Sequence, residues 1–310
     1  MCPREACPAC GARQPGVLFR RSYRDPLLRE TLGRFYGESF RREYEVLEDA
    51  EFVLLQCRDC ALIYQQQVPD AVLLARLYEG WIDPAASLAC FEATVRPEEA
   101  FETVRDAFIG LSLAESGRRP QRTLDIGCGW GGWPLATMIS GAEAWGTEVS
   151  PTRSGYCTAR GIHMVDEEAL PDGYFDVINL NQVFEHLPEP RASLERLTRA
   201  LRPGGIVRIA VPNGRFVPRA LRRFEAELHR PQGGGLYAVA PLQHLSCFRT
   251  ETLVALAGHV GLQRVRPPWR LLLASLRIPP RPKPAIKAIL RPLYLRSGYT
   301  TDLLFRKGGG

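Results

Sequence analysis

The sequence predicts an α/β fold that is built on a mostly parallel sheet. Between residues 123 and 211, five short apolar segments alternate with segments whose apolar residues recur at the spacing of a helix. Glycine and proline mark the breaks between them, above all in the glycine-rich run at 127–132 after the first apolar segment. Because strand–helix–strand units cross over in a right-handed sense, these strands are expected to lie side by side and parallel.

Individual elements follow from the local patterns. We expect a short helix at 27–35, a strand, a turn and a second strand within 44–56, and helices within 68–116. In the main sheet we expect strands at 123–126, 144–149, 162–165, 175–180 and 206–211, with helices up to 140, at 151–160 and at 192–201. A helix at 250–260, a strand at 263–265 and a last strand at 301–307 follow, whereas the Pro- and Arg-rich residues 267–298 indicate no single element.

The composition is that of a globular protein. Hydrophobic residues make up 45% and charged residues 24% of the 310 residues. No apolar run is long enough to cross a bilayer, and the N-terminus lacks the apolar region of a secretory signal. We therefore expect a cytoplasmic protein with reduced thiols, and interpret the nine cysteines as metal ligands and buried thiols rather than disulfides.

Positive charge is concentrated at the C-terminal end. From Arg264 onward there are eight arginines, three lysines and one acidic residue, Asp302. Such a run is either a solvated basic face or a contact with something anionic, namely a nucleotide sugar, a lipid headgroup surface or RNA.

Two C-x-x-C pairs lie near the N-terminus, Cys7 with Cys10 and Cys57 with Cys60. Four thiolates in pairs can close a tetrahedral zinc site, which stabilises a module that is too small for its own core. Buried free thiols and a redox dithiol are the alternatives, and Cys2 is a weaker candidate ligand.

The glycine-rich turn after the first strand of the sheet indicates a ligand site. Glycines allow the backbone to approach a ligand closely, and the same spacing also occurs in dinucleotide-binding folds. Asp125 precedes the turn, and Glu148 lies at the end of the second strand. A carboxylate beside the turn disfavours a pyrophosphate and suits a cofactor that carries an ammonium and a sulfonium, whereas Glu148 suits the ribose of any nucleoside.

Several ordered motifs support this interpretation. The runs LDIGCGWGGWPLA, WGTEVS, EEALPDGYFDVINLNQVFEHL and LTRALRPGGIVRIAVPN resemble the successive motifs of class I S-adenosylmethionine (SAM)-dependent methyltransferases, over roughly residues 122–265. The four cysteines, CALIYQQQVPD and LYEGW resemble the N-terminal region of sugar and natural-product methyltransferases. The resemblance implies a Rossmann-like class I methyltransferase sheet with helices on both faces, plus a small N-terminal zinc-ribbon module.

The resemblance also implies a set of cofactor-binding residues. Glycine-turn residues would contact the methionine part of SAM, and Glu148 would hold the ribose. The loop after the third strand would flank the adenine, and the residues after the fourth strand would line the space under the sulfonium. In that order the set is Asp125, Gly127, Cys128, Gly129, Glu148, Val149, Glu168, Ala169, Asn181 and Gln182. For Glu168, a solvated acid in a loop is the alternative.

Histidine is the usual base near neutral pH for a hydroxyl or amine acceptor. His186, just past the fourth strand, and His244, ahead of a helix, match histidines of the small-molecule branch of the family and are the predicted catalytic residues. Helix capping or a backbone hydrogen bond is the alternative for both. His163, His229 and His259 are interpreted as structural or surface residues.

The chain is expected to divide into four consecutive segments. Residues 1–66 would form the zinc-binding module, 67–119 a helical lid or linker, 120–266 the SAM-binding core, and 267–310 a basic segment with the last strand. Tyr78 and Trp81 would lie on the lid of the substrate pocket or pack in a core.

These observations predict a SAM-dependent methyltransferase that acts on a small molecule or sugar, at oxygen, in glycan or natural-product biosynthesis. The basic segment would then contact a nucleotide- or lipid-linked acceptor or a membrane surface. An RNA methyltransferase is one alternative, although Glu48, Asp49 and Glu51 in the cysteine module disfavour nucleic acid. A non-catalytic protein that binds the cofactor is the other. The sequence defines neither the acceptor nor the oligomeric state.

Overall fold

A computed structural model describes residues 1–93, 97–114, 117, 120–228, 236–276 and 282–309. Its contacts divide the chain into two compact units, each assembled from segments that are distant in sequence. The first unit consists of Met1–Ser87, Phe184–Arg191 and Val211–Thr252, and the second of Leu88–Val183, Ala192–Ala210 and Leu253–Gly310. The four consecutive segments expected from the sequence stay a prediction.

The strands and helices of the described residues are numbered here in chain order. The strands are β1 Cys2–Pro3, β2 Gly16–Ser22, β3 Glu51–Gln56, β4 Ile63–Gln65, β5 Gln67–Val68, β6 Arg122–Ile126, β7 Glu143–Thr147, β8 His163–Met164, β9 Phe175–Asn181, β10 Leu201–Ala210, β11 Ser246–Cys247, β12 Leu262–Val265 and β13 Asp302–Lys307. The α-helices are α1 Pro26–Glu43, α2 Ala71–Ala75, α3 Pro84–Ala93, α4 Pro97–Leu113, α5 Gly132–Ile139, α6 Pro151–Thr158, α7 Pro190–Ala200, α8 Val217–Leu221, α9 Phe224–Leu228, α10 Thr250–His259, α11 Trp269–Ala274 and α12 Pro282–Arg296.

The first unit contains a four-stranded antiparallel sheet in the order β11-β4-β3-β2, and the short antiparallel pair of β1 with β5. Helix α1 begins where the sequence predicts it, because the Asp25 carboxylate accepts the backbone N–H groups of Leu27 and Leu28. Trp81 is a core residue of this unit: its ring lies 4.8 Å from that of Phe40, and its indole N–H donates to Glu43.

One local prediction is wrong, since residues 44–56 do not form two strands. Tyr44–Leu47 is a 3₁₀ turn that continues α1, and only Glu51–Gln56 is extended. Tyr44 and Leu47 are buried, and the Tyr44 ring packs edge-on against Phe40, so tertiary packing overrides the alternating pattern. The partners of β3 are instead β2 and β4, which the sequence analysis did not predict.

The second unit contains a seven-stranded mixed sheet in the order β12-β13-β10-β9-β6-β7-β8. The pairs from β10 to β8 are parallel, and β13 runs antiparallel to both β10 and β12. This arrangement confirms the predicted Rossmann-like sheet, including the last strand. The third strand is shorter than expected, and β10 begins already at Leu201 and carries a register shift before Ile206.

Helices α4, α5, α11 and α12 share one apolar core with the sheet, which includes Ile109, Trp133, Val177, Leu272 and Leu295. The Pro- and Arg-rich stretch that the sequence left open therefore contributes two helices where it is described. Within the described parts of the chain, none of the helices has both the length and the hydrophobicity that a membrane span needs.

Replacement of Gly214 by alanine is expected to destabilise the first unit. An added Cβ would lie 2.4 Å from Cys247 Sγ and 3.0 Å from the carbonyl oxygen of Phe248. Overpacking of this kind costs about 1–3 kcal/mol, so the midpoint of thermal unfolding should fall by several degrees. Gly16→Ala is the matched control, because nothing lies within 4 Å of its Cβ position. Equal midpoints for the two variants would contradict the close approach.

Candidate functional site

The glycine turn at the end of β6 is held by the neighbouring strand β7. The Gly127 N–H donates to Thr147 Oγ1 at 3.1 Å, and the Cys128 N–H donates to the Thr147 carbonyl at 2.9 Å. Gly127 has a φ of 61°, and a Cβ there would lie 2.8 Å from Val183 Cγ2. Both its conformation and its close approach therefore require glycine.

Glu148, directly after β7, fixes the other side of this turn. Its carboxylate accepts the Gly129 N–H and the Ser150 N–H, both at 2.9 Å. Ser150 in turn caps α6 by accepting the Arg153 N–H. Glu148 is therefore oriented by backbone groups, and each of its oxygens keeps a lone pair for a ligand.

A cavity of about 230 Å³ opens in the second unit beside this turn. Four of the residues predicted to bind cofactor line it, namely Asp125, Gly127, Cys128 and Asn181. The cavity also involves side chains that the sequence analysis missed: Phe91, Thr103, Asp106, Trp130, Trp133, Asn179 and Arg208. It combines aromatic walls with a polar floor, as small-molecule sites commonly do.

The other predicted cofactor residues lie outside the lining of this cavity. Val149, Glu168 and Ala169 are exposed, the last two in the 3₁₀ turn Glu167–Ala169 after β8. Gln182 is also exposed, and its positive φ of 57° is held by an N–H···O hydrogen bond to Ala210. Non-glycine residues rarely adopt a positive φ, so the surrounding structure must hold the backbone of Gln182 in this strained conformation at the end of β9.

Asp125 carries unusual electrostatics. Its carboxylate is buried in the cavity floor and accepts a 2.7 Å hydrogen bond from the Asn179 amide. Burial raises the pKa of Asp125 to about 7, although Asn179 and the charge of Arg208 act in the opposite direction. A carboxylate that is this costly to ionise gains from a bound cation, so the floor of the cavity favours a positively charged ligand.

A buried ionic network lies beneath Asp125. The Arg208 guanidinium donates to Asn179 at 2.9 Å, to Asp302 at 2.9 and 3.1 Å and to Asp106 at 2.9 Å. Arg291 reaches both Asp106 and Asp302 at 3.1 Å. Burial would raise the pKa of Asp106, but the neighbouring arginines outweigh it and lower that pKa. The sequence contained one sign of this network, namely Arg208 within the apolar strand at 206–211. An arginine in such a strand is buried and therefore needs acidic or polar partners.

The two predicted catalytic histidines lie together in the first unit. Their rings are 4.8 Å apart and nearly perpendicular. The hydroxyl of Tyr78 lies 3.3 Å from His186 Nδ1, and the ring of Tyr237 lies 5.0 Å from that of His244. The structure thus brings the two histidines together with Glu185, and we call these three residues the histidine cluster.

The histidine cluster is uncharged at neutral pH. Burial lowers the pKa of His186 to about 3 and that of His244 to about 4, and it raises the pKa of Glu185 to about 8. Both oxygens of Glu185, and Nδ1 of His244, are buried without a hydrogen-bond partner among the described residues. Buried polar atoms of this kind are costly to leave unpaired, so a hydrogen bond from a bound molecule would stabilise the cluster.

The donor atoms of Glu185, His186 and His244 lie within 4.8 Å of one another. Two imidazoles and one carboxylate form a donor set that could also hold a divalent transition-metal ion.

The loops that carry the two histidines are held by Arg4 of the N-terminal segment and by Gln65 of β4. The Arg4 guanidinium donates to the carbonyls of Pro188 at 2.5 Å and Leu245 at 2.8 Å, which follow His186 and His244 closely in sequence. The amide of Gln65, in β4, donates to the carbonyl of His244 at 3.0 Å. Sequence reasoning had no signal for these contacts, because each joins segments that are far apart in the chain.

The four predicted zinc ligands cluster in the same unit. The Sγ atoms of Cys7 and Cys60 are 3.6 Å apart, those of Cys10 and Cys57 are 3.5 Å apart, and all four lie within 4.8 Å of one another. Four sulfurs at about 2.3 Å from a tetrahedral zinc would be separated by about 3.8 Å. The observed cluster therefore has the size of a zinc site.

The two cysteine pairs have the same backbone geometry. The Gly11 N–H donates to the Cys7 carbonyl at 2.8 Å, and the Ala61 N–H donates to the Cys57 carbonyl at 3.1 Å. Both residues have positive φ, 78° for Gly11 and 59° for Ala61. The backbone after each pair therefore turns through the left-handed region, which glycine adopts at the least cost.

The remaining cysteines and histidines lie elsewhere. Cys2 and Cys90 are exposed and outside the cluster, and Cys247 is buried. The Cys128 and Cys157 sulfurs are buried 3.8 Å apart next to the glycine turn. His163 and His259 are exposed, whereas His229 lies outside the described residues.

Comparison with known proteins agrees with these features. A sequence profile of the methyltransferase domain family matches residues 66–266. The chain is 32% identical to a ubiquinone biosynthesis O-methyltransferase of Methylococcus capsulatus, over 41% of this chain and 54% of that protein. It is 29% identical to the 27-O-demethylrifamycin SV methyltransferase of Amycolatopsis mediterranei, over 62% of this chain and 72% of that protein.

The chain spans 54–64% of the length of the ubiquinone biosynthesis O-methyltransferases that it matches at 30–32% identity. Among solved structures, the plantazolicin methyltransferase BpumL in complex with SAH aligns with 76% of this chain and 94% of that chain, at a TM-score of 0.49 and 15% identity. The family profile covers more than half of the chain and confirms the resemblance seen in the motifs: the chain belongs to the methyltransferase domain family.

Proposed function

We propose that the chain transfers a methyl group from SAM to an oxygen atom of a small molecule or sugar, in glycan or natural-product biosynthesis. The observation that carries the proposal is the buried carboxylate of Asp125 beside the glycine turn. A cavity with this floor suits an ammonium and a sulfonium and disfavours a pyrophosphate. The names of the relatives, O-methyltransferases of ubiquinone biosynthesis and a 27-O-demethylrifamycin SV methyltransferase, support an oxygen atom of a small molecule as acceptor.

When bound, SAM supplies a methyl group on a sulfonium, which needs positioning rather than further activation. In the proposal, Gly127, Cys128 and Gly129 contact the methionine part and Asp125 faces its ammonium. Glu148 accepts hydrogen bonds from the ribose hydroxyls with the lone pairs that the backbone amides leave available.

The exposed residues at the strand ends have the remaining cofactor roles in this proposal. Val149 would lie beside the ribose, and Glu168 and Ala169 would flank the adenine. Asn181, which lines the cavity, and Gln182 would form the floor under the sulfonium. Since most of these side chains are exposed, the adenine would bind at an open edge of the sheet.

His186 and His244 are proposed to contact the acceptor hydroxyl, one of them as the base. Both imidazoles are neutral at pH 7, so each has a lone pair for the hydroxyl proton, although burial lowers their pKa values and makes them weaker bases than a solvated histidine. In the tautomer of His186 that is protonated on Nδ1, this N–H donates to Tyr78 and Nε2 keeps its lone pair. An acceptor hydroxyl would also supply the hydrogen bond that the buried Nδ1 of His244 lacks among the described residues.

Zinc is proposed as a structural ion held by Cys7, Cys10, Cys57 and Cys60. The site would fix the N-terminal segment, including Arg4, whose contacts hold the loops of the histidine cluster. Its effect on the reaction would therefore be indirect, through the position of the acceptor-binding residues.

The wild-type chain is expected to add one methyl group to a component of small-molecule extracts, detected by mass spectrometry with methyl-labelled SAM. Whichever of His186→Ala and His244→Ala removes the base should lower turnover by about 10²–10⁴-fold, the usual contribution of a general base, with SAM binding by calorimetry unchanged. The double variant should lose at least as much. His259→Ala, on an exposed histidine, is the matched control. Full turnover in the double variant would refute the base assignment. Labelling of RNA instead, or SAM binding without transfer to any extract, would refute the function.

SAM affinity is expected to rise with pH between pH 5.5 and 7. Because the folded-state pKa of Asp125 is raised to about 7, the carboxyl is mostly protonated at the lower pH, and binding of the ammonium favours its ionised form. Affinity should therefore increase by roughly tenfold over this range, with release of a proton at the lower pH. Calorimetry in two buffers of different ionisation enthalpy measures both quantities. Asp125→Asn should bind more weakly and lose the pH dependence, and a pH dependence that persists in this variant would exclude Asp125 as its source.

The purified chain is expected to contain about one equivalent of zinc by elemental analysis. Cys7→Ser combined with Cys57→Ser should lose the zinc, and the midpoint of thermal unfolding should fall by about 5 °C or more. Turnover should fall while SAM affinity is retained, because the cysteines and the histidine cluster belong to the first unit. Cys90→Ser, on an exposed cysteine outside the four-cysteine cluster, is the control. Zinc content unaffected by the double substitution would contradict the assignment.

A further inference from the structure

Helix α12 is apolar on two opposite sides. On the inner side, Ala288, Pro292 and Leu295 line a small cavity together with Leu272 of α11 and Ile109 of α4. This side belongs to the core of the second unit, since Ile109, Leu272 and Leu295 are members of one buried cluster. The inner side therefore explains why the helix packs on the sheet, but it does not explain the apolar residues on the other side.

The outer side of α12 is an exposed apolar stripe. Its members are spaced as i, i+3, i+4, i+7 and i+8, so that they share one face of the helix. They are Ile286, Ile289, Leu290, Leu293 and Tyr294, with exposed fractions between 44 and 59%. Helix α11 adds two further exposed apolar residues, Trp269 at 44% and Leu273 at 59%. We call the five α12 residues the outer stripe.

Helix α11 lies beside the C-terminal end of α12. The guanidinium of Arg296 stacks on the Trp269 ring at 5.0 Å, and it donates to the carbonyl of Pro267. An exposed tryptophan next to a stacked arginine is typical of residues that lie at the boundary between water and an apolar phase.

The sequence that contains the outer stripe is rich in positive charge. The segment from Arg264 onward has eight arginines and three lysines against one acid. That acid, Asp302, is engaged inside the unit by Arg208 and Arg291. Arg266 and Arg270, which flank the start of α11, are exposed. Arg291 points into the unit, and Arg264, Arg296 and Arg306 donate to backbone carbonyls. Within the described residues, the exposed guanidiniums of Arg266 and Arg270 are therefore the charges that an external anionic partner would meet.

We propose that α11 and the outer stripe of α12 bind the surface of an anionic phospholipid bilayer, with α12 parallel to the membrane plane. A basic helix with an apolar face that carries leucine, isoleucine and aromatic residues inserts that face at the headgroup boundary, while the arginines and lysines contact anionic lipids. Helix α12 has 15 residues and is therefore about 22 Å long. It is shorter than the ~20 residues that a span requires, so it would lie on the surface.

The charge also decides against a second copy of the chain as occupant. A symmetric dimer through this face would bring two segments with the same positive surplus together, at a cost from like-charge repulsion. An anionic bilayer instead gains from the exposed charges, such as those of Arg266 and Arg270. The proposal does not depend on methyl transfer, and it would bring a lipid-linked acceptor and the chain to the same surface.

Co-sedimentation of the full chain with vesicles tests the proposal. The chain should bind vesicles that contain phosphatidylglycerol, bind vesicles of phosphatidylcholine alone at least about tenfold more weakly, and dissociate as salt rises. Leu290→Glu combined with Leu293→Glu should lower binding by at least about tenfold, because two apolar contacts are lost and two negative charges are added. Ile139→Glu, which changes an even more exposed apolar residue on α5, is the control. Circular dichroism should show the same fold for both variants.

A second pair of substitutions separates charge from apolar contact. Arg266→Gln combined with Arg270→Gln should weaken binding to anionic vesicles while leaving the fold unchanged. Three results would overturn the proposal. They are equal binding to neutral and anionic vesicles, a loss of vesicle binding in Ile139→Glu as large as that in the Leu290→Glu, Leu293→Glu variant, and no vesicle binding at all. A concentration-dependent dimer that the substitutions in the outer stripe abolish would assign the stripe to a second copy instead.

Discussion

The buried guanidinium of Arg208 is the interaction around which the second unit is organised. A charge inside a sheet is stable only when it is paired and hydrogen-bonded, and loss of one partner of such a pair typically costs about 3–5 kcal/mol. Its partners Asp106 and Asp302 come from α4 and β13, which are far from β10 in sequence. The need to pair Arg208 therefore fixes the last strand and α4 against the sheet. Through Asn179 the same network reaches Asp125, whose ionisation sets the charge of the cavity floor.

In the first unit the comparable constraint is the cysteine cluster. Two turns of the same geometry direct four sulfurs toward one point, one of them within the N-terminal segment and the other between β3 and β4. Arg4 and Gln65 lie close to these turns in sequence and hold the backbone of the loops that carry the histidine cluster. In the sequence, the cysteine pairs resemble a separate zinc ribbon. In the structure, residues next to these pairs hold the loops that carry the predicted catalytic histidines.

Features that depend on a few neighbouring residues were predictable from the sequence. The glycine turn, Asp125 and the cysteine pairs are local patterns whose chemistry limits the possible structures. Features that depend on distant segments were not predictable. Residues 44–47 have a strand-like pattern, but packing of Tyr44 against Phe40 keeps them in a turn. Asp106 has no local signal, because its role depends on a guanidinium about a hundred residues later.

The ionic network also determines which side of α12 faces outward. Arg291 of this helix donates to both Asp106 and Asp302, the carboxylates that pair with Arg208. These contacts fix the rotation of α12 about its axis, because the arginine must point into the unit. With Arg291 inward, the stripe from Ile286 to Tyr294 has to face away from the sheet. The same charges that define the cavity floor thus hold the apolar stripe in the orientation that membrane binding would need.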